Sequence, residues 1–351
     1  MPERRSAQIV GTGLIGGSIG LALRARGWHV TGRDRDADRA ARALELGALD
    51  AVGDDPEAEL SFVATPVGTV AEEAAKAPGV VTDVGSVKAP VVAAVDRPTF
   101  VGGHPMAGSE QEGIDGADAS LFQGAVWVLT PVAGTDPAAH SLVRSVVSSF
   151  GADVVELPPE RHDALVAVVS HVPHLTAATL MGLAAERAEE HQALLRLAAG
   201  GFRDMTRIAA GHPGIWPDIC ADNRAAIVEA LDALQASLGS IRDLVDSGDR
   251  EALIGTLERA RAARANLPGR GHAVPDEVAE VRIPVPDRPG VLAEVTTLAS
   301  ELGVNIHDLE IAHSSEGPAG VLILLVDAAS TDLLRGGLLA RGYKPSAQRL
   351  T

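Results

Sequence analysis

GTGLIGGS, Gly11 to Ser18, decides how the first half of the chain is read. It follows the β-branched run AQIV and opens an Ala- and Leu-rich stretch, so strand, tight turn and helix are expected in that order. Its glycines at 11, 13 and 16 make GxGxxG. In this setting Gly11 permits the turn, Gly13 lets backbone approach a pyrophosphate, and Gly16 lets helix pack on strand. Leu14 and Ile15 start the helix, whose N-terminus would face the phosphates. The second strand ends in HVTGRDRD, which places Asp34 where an acid bonds the adenosine ribose hydroxyls and so favours NAD. Arg33 and Arg35 flank it, and an arginine there can receive the 2′-phosphate of NADP.

Outward from that turn, short β-branched runs alternate with helical segments as far as about Val155. The runs are AQIV, HVTG, LSFVAT, VVTDV, TFVGG, AVWVLT and ADVVEL. The alternation predicts a Rossmann-type doubly wound α/β domain over 1–156, with a mainly parallel sheet covered on both faces. Ligands of such sheets lie beyond the carboxyl ends of the strands. The third strand runs into ATPVGT, where Thr65 and Pro66 are expected on the nicotinamide side, although a plain turn fits as well. The fourth runs into DVGSVK with Ser86, and the fifth into GGHPMAGSE with His104. A histidine at the end of a central strand, beside a predicted cofactor, points to catalysis. Gly102, Gly103, Ala107 and Gly108 would then let substrate and cofactor approach closely.

Strand signals stop near Glu160, and 157–267 is expected to be an all-α domain. DALVAVVSHVPHLTAATLMGLAAE reads as one long helix bent at Pro173. Ile227, Leu231, Leu234, Leu238 and Ile241 recur at helical spacing, and helices this apolar suggest a homodimer interface. Residues 268–277, rich in Pro, Gly and charge, form a linker. Residues 278–351 give strand, loop, helix, strand, hairpin, strand and helix, a small α+β domain of ferredoxin-like order.

Composition excludes several classes of function. At 351 residues the chain suits two or three domains. A formal net charge of −17 argues against a nucleic-acid partner and against an anionic membrane surface. The one cysteine, Cys220, rules out an internal disulfide or a CxxC site. No apolar run is expected to reach the roughly 18 residues of a membrane helix, so a soluble, cytoplasmic protein is anticipated. His171 and His174 are spaced HxxH, but no Cys or paired acid joins them at ligand spacing, and no metal is expected.

GTGLIGGS, TDVGSVK, GGHPMAGSEQEG, SHVPHL and GGFRDMTRIAAGHPGIWPDI, in this order, resemble the prephenate dehydrogenase family, which includes arogenate and cyclohexadienyl dehydrogenases. The similarity covers roughly residues 6 to 265. The tail VPDRPGVLAEVTTLASELGVNI resembles an ACT domain, a regulatory module that binds amino acids. The resemblance implies NAD-dependent oxidative decarboxylation of prephenate to 4-hydroxyphenylpyruvate, feedback-inhibited by tyrosine. Arogenate is the alternative substrate, and a non-catalytic nucleotide and amino-acid sensor is the alternative outside enzymes.

His104 is then the proton acceptor, a role its ordinary pKa near 6.5 suits. Ser86 corresponds to the serine that bonds that histidine or the substrate and orients the nicotinamide. Arg207 matches the arginine that binds substrate, where a guanidinium can grip a carboxylate bidentately. Arg203 is a weaker candidate, better explained by an ion pair with Asp204 or another acid. His174 is placed near the substrate's side chain, and His171 is structural. Ser170 and Trp216 are candidates for the pocket wall, and a tryptophan equally suits core. Ser109 and Glu110 fall at the domain interface, where an acid suits the amine of arogenate better than a dianion. Asn305 and His307 are candidates for recognising the effector, or ordinary surface residues.

Overall fold

The computed structural model describes residues 5–108, 111, 113–190, 194–211, 213–267, 278–286, 288–313 and 319–349. The chain divides into two compact units, Met1–Ala178 with Ile208–Leu238 and Thr179–Arg207 with Gly239–Thr351.

In the first unit eight strands form one sheet: β1 (Ser6–Val10), β2 (His29–Arg33), β3 (Ala51–Val52), β4 (Leu60–Val63), β5 (Val80–Asp83), β6 (Phe100–Pro105), β7 (Val126–Thr130) and β8 (Asp153–Glu156). Their order is β3-β2-β1-β4-β5-β6-β7-β8. Neighbours run parallel except at β6 and β7, which pair antiparallel. The chain therefore reverses its direction of winding between β1 and β4, the position at which such sheets open a ligand crevice. The two-residue β3 was too short to show any alternation in the sequence.

Helices α1 (Leu14–Arg24), α2 (Ala37–Glu45), α3 (Val67–Lys76), α4 (Ala89–Ala94) and α5 (Pro137–Ser149) follow strands of this sheet. Buried side chains separate into two apolar layers. Ile9, Ile19, Leu23, Phe62, Trp127 and Phe150 belong to one, and Val63, Val70, Val81, Val91 and Phe100 to the other. Every residue of β4, LSFV, is buried, as a strand covered on both faces requires. Each large apolar side chain so buried contributes about 1.5–3 kcal/mol. Asp36 and Asp136 start α2 and α5 by accepting bonds from backbone N–H groups of the first turn, and Pro137 takes the first position of α5.

The long helix expected after the sheet is interrupted. α6 (Pro159–Val166) passes through a wide π-turn at Ala167–His171 into α7 (Val172–Glu190). Pro173 explains the turn, because its nitrogen donates no bond and its ring crowds the carbonyl of Val169. Contrary to the expectation from sequence, the run Pro159–Ala188 is long and apolar enough to cross a membrane by length and composition. α9 (Trp216–Asp222) and α10 (Arg224–Ser247) bring Ile219 and Ile227 onto Ala167, a small core of their own.

The second unit contains α8 (Gly200–Thr206), α11 (Arg250–Ala265) and a four-stranded antiparallel sheet. Its strands are β9 (Val278–Pro286), β10 (Ile306–His313), β11 (Ala319–Asp327) and β12 (Ser346–Arg349), in the order β10-β11-β9-β12. With α12 (Val291–Glu301) and α13 (Thr331–Ala340) this is the ferredoxin-like βαββαβ arrangement. On β9, Val281, Ile283 and Val285 are buried and Arg282, Pro284 and Pro286 exposed, the period of two that puts one face of a strand on a core. That core is completed by Val295, Leu298, Leu322, Leu324, Leu334 and Leu338. β12 went unread in the sequence, since SAQR is exposed throughout and has no alternation.

Candidate active site

The turn after β1 is built from backbone. Gly11 has φ +94°, and a Cβ there would sit 2.5 Å from the carbonyl oxygen of Ala64; at Gly16 it would lie 1.9 Å from that of Gly11. At Gly13 an added Cβ meets nothing within 4 Å. Gly11 and Gly16 are therefore demanded by the turn itself, whereas Gly13 borders open space in front of α1, whose first residues Leu14 and Ile15 are half-buried. That open cradle of N–H groups suits the phosphates of a dinucleotide. Asp34 ties the end of β2 to the turn: its carboxylate accepts the Thr12 N–H at 2.8 Å and the Asp36 N–H at 3.0 Å. Arg33 does not flank it as a second cationic arm. Its guanidinium bonds Asp54 at 2.7 Å and pairs with Glu73, two carboxylates that hold it in place. Arg35 is exposed. After β4, the Thr69 hydroxyl lies 3.0 Å from that of Thr65 and 2.9 Å from the carbonyl oxygen of Pro66.

The neighbouring part of the site is built from buried side chains. Asp83 ends β5 fully buried, pairs with the equally buried Lys88, and accepts N–H bonds from Gly85 at 2.9 Å and Gly103 at 3.1 Å. Burial holds the Lys88 amine below its usual range, against the pull of Asp83. At the start of α4 the N–H groups of Lys88 and Ala89 each donate at 2.8 Å to the carboxylate of Asp163 on α6. Asp163 also faces His162 Nδ1 at 2.7 Å, and His162 Nε2 lies 2.9 Å from His104 Nδ1. The Asn223 amide donates to the Asp163 carbonyl at 2.9 Å and faces His171 Nδ1 at 3.2 Å. His171 meets Trp216 edge to face, and His174 stacks on the same indole with ring centroids 3.7 Å apart.

The surroundings of His104, His171 and His174 disfavour their charged forms. Burial first, then the repulsion a second positive charge would meet from His162, Lys88 and His171, holds His104 well below its ordinary 6.5. Burial brings His171 down to about 4, with Asp163 opposing, and lowers His174 as well. A neutral imidazole has a bare ring nitrogen that can accept a proton.

The structure thus gathers His104, His162, Asp163, His171, His174 and Trp216, with Ser170 half-buried on the π-turn. Ser86 lies half-buried in the turn after β5 and makes no hydrogen bond among the described residues; of the two His104 nitrogens, Nδ1 faces His162. Gly102 and Gly103 are explained differently from the expectation. A Cβ at Gly102 would press on Thr130 and Val92, and one at Gly103 on Asp83 and Thr82, so these glycines serve packing inside the sheet. Ser109 and Glu110 lie outside the described residues. Arg207, exposed at the end of α8, belongs to the second compact unit. Arg203 bonds the Ala198 carbonyl at 3.1 Å in place of the acid expected for it. In the C-terminal sheet His307 is held by Asp327 at 2.8 Å and Asn305 lies 3.3 Å from His307, which engages both with each other.

His162, Asp163, Lys88, Asp83 and Asn223 escaped the sequence reading. ERHDALV offered a His-Asp dipeptide at a helix start, but nothing local says that its partner lies 58 residues earlier.

Family models agree with this architecture: prephenate dehydrogenase nucleotide-binding domain over residues 19–156, prephenate dehydrogenase dimerization domain over 158–259, and ACT domain over 279–335. The chain is 36% identical over 334 residues to a prephenate dehydrogenase of Bacillus subtilis, covering 90% of each. Prephenate dehydrogenase from Aquifex aeolicus, solved with hydroxyphenyl propionate and NAD+, superposes with a TM-score of 0.70 at 30% identity, over 75% of this chain and 98% of that one. Arogenate dehydrogenase from Synechocystis gives 0.66 at 30% identity, over 74% and 98%. The chain belongs to the prephenate dehydrogenase family and ends in an ACT domain.

Proposed function

We propose that the chain oxidatively decarboxylates prephenate to 4-hydroxyphenylpyruvate with NAD, His104 being the group that handles the substrate's hydroxyl proton. The observation that carries this is a buried imidazole, held neutral, at the carboxyl end of β6. The dinucleotide supplies the acceptor for the hydride that leaves C4. Gly11, Gly13, Leu14, Ile15 and Gly16 would hold its phosphates, Asp34 its ribose, and Thr65 and Pro66 the nicotinamide side. NAD is favoured over NADP because Arg33 is committed to Asp54 and Glu73.

His104 takes the hydroxyl proton as hydride departs. The C1 carboxylate leaves as carbon dioxide, its electron pair makes the ring aromatic, and His104 returns the proton to the phenolate oxygen. Carbon dioxide and NADH are formed and no proton is released overall. Ser86 would orient the hydroxyl and the nicotinamide, Arg207 is the residue proposed to bind a carboxylate, and His174, stacked on Trp216, would face the side chain with Ser170.

Mixing protein, NAD and prephenate should raise the absorbance of NADH. Turnover with arogenate and none with prephenate would replace the substrate, a real second reading given the Synechocystis neighbour.

Regulation by tyrosine is assigned to the tail. A cavity of about 210 Å³ lies beside the turn between β9 and α12, lined by Pro286, Arg288, Pro289, Gly290 and Leu292 among others. It sits at the end of β11 near Gly320, whereas His307 and Asp327 are at the other end of that strand, so an effector is expected at the cavity and not at Asn305 and His307. Deleting residues from 272 onward should leave turnover and abolish tyrosine inhibition; persistent inhibition would put that site elsewhere. A homodimer is expected through the helices, whose Val168, Val169, Val228, Leu238 and Val245 are exposed in one chain. Light scattering on a sizing column would give a single-chain mass if that is wrong.

A further inference from the structure

We propose that His162 and Asp163 are positioning residues that keep the proton of His104 on Nδ1 and so leave Nε2 free to accept the substrate's proton. This rests on the assignment of His104 above.

The direction of each bond follows from what each atom can do. The carboxylate of Asp163 only accepts, and it already receives the N–H groups of Lys88 and Ala89. His162 must therefore donate from Nδ1 to it. A neutral His162 then has a bare Nε2, which can only accept, and the atom 2.9 Å away is His104 Nδ1. His104 is left with its proton on Nδ1 and a lone pair on Nε2. The ring planes are twisted by 77° with centroids 5.1 Å apart, and because the N–H and the lone pair each lie in the plane of their own ring, the two nitrogens meet edge to edge. His162 is fully buried, so water does not replace it.

The arrangement also serves the charged state. When Nε2 takes the hydroxyl proton, the imidazolium of His104 still donates through Nδ1 to His162, with the Asp163 carboxylate behind it. When the ring becomes aromatic the same proton leaves Nε2 for the phenolate oxygen, so nothing is consumed. The charged and titratable groups facing His104 are His162 and Asp163 from α6, His171 from the π-turn, Lys88 from the turn before α4 and Asp83 from β5. Among these Asp83 is engaged by Lys88, which leaves Asp163 as the carboxylate in line with the imidazoles.

The test begins with the unaltered protein. Nitrogen-15 spectra of histidine-labelled enzyme at neutral pH, assigned with His104→Ala, should show His104 protonated on Nδ1; a proton on Nε2 overturns the proposal. His162→Leu should lower kcat by about 10²-fold or more while KM and NAD affinity stay within about threefold. His162→Gln, whose amide oxygen can still accept from Nδ1, should recover at least about tenfold of that loss. A kcat for folded, NAD-binding His162→Leu within threefold of the parent overturns the relay. If His104→Ala itself turns over normally, the proposed role of His104 has failed; if His104→Ala is dead and His162→Leu is not, only the relay has.

Discussion

Among the described residues, two aspartate–histidine pairs have nearly the same length. Asp163 and His162 are 2.7 Å apart in the first unit, Asp327 and His307 2.8 Å apart in the C-terminal sheet. Their surroundings differ. The His162 side chain is fully buried and Asp163 is 7% exposed, whereas His307 is 23% and Asp327 48% exposed. The first pair continues into a third buried group, His104, and is fixed from behind by two N–H groups of α4. Among the described residues, the second meets only Asn305 on its far side. One contact distance therefore serves two purposes, and exclusion of water decides which, because a dry pair must choose its proton positions while a wet one need not.

The sharpest way to break the comparison is to remove the end of the buried chain. His104→Ala should cut turnover about 10²- to 10⁴-fold with NAD binding retained, while His307→Ala should change it less than about twofold. Equal effects in steady-state assays would show that burial does not separate the two.

Next comes the support beneath the buried pair. Lys88→Met leaves Asp83 charged, dry and unpaired, which should cost about 3–5 kcal/mol of stability in denaturant unfolding. A loss under about 1 kcal/mol would mean that the pair is not closed to water.

Acid should also separate the two regions. His104 and His171 sit below 6.5 in the folded chain, so between 6.5 and about 4 the unfolded chain binds protons that the native one does not. Stability should fall as pH drops through that window, and kcat/KM should hold until pH is well below 6.5 before declining. Thermal melts and initial rates from pH 8 to 4.5 check both, and an acid limb at or above 6.5 would contradict a desolvated His104.

The smallest effect is expected at the exposed pair: Asp327→Asn should cost less than about 1 kcal/mol and leave turnover unchanged.

How much of this could be read beforehand depended on distance along the chain. The turn at Gly11, Gly13 and Gly16, and Asp34 some twenty residues on, lie within one strand–helix–strand unit. Their spacing is set by that unit's geometry and survives as a pattern. Thr65, Ser86 and His104 were expected at strand ends by the same logic, and each lies at or just after the end of a strand. Gly102 and Gly103 were found too, but for the wrong reason, because a glycine does not say whether a ligand or a neighbouring side chain takes its space. The wide turn before Pro173 was half visible as a bend.

The chain by itself determined the doubly wound sheet, the helical middle, the ferredoxin-like tail and the backbone part of the site, since hydrophobic period and glycine spacing are local consequences of backbone geometry. Only the tertiary structure decided that Lys88 is buried on Asp83, that Asp163 closes α4, and that His162 reaches His104 across 58 residues. Those contacts form where β5, β6, α4 and α6 converge, and the burial that neutralises His104 is a property of that convergence and of no single segment.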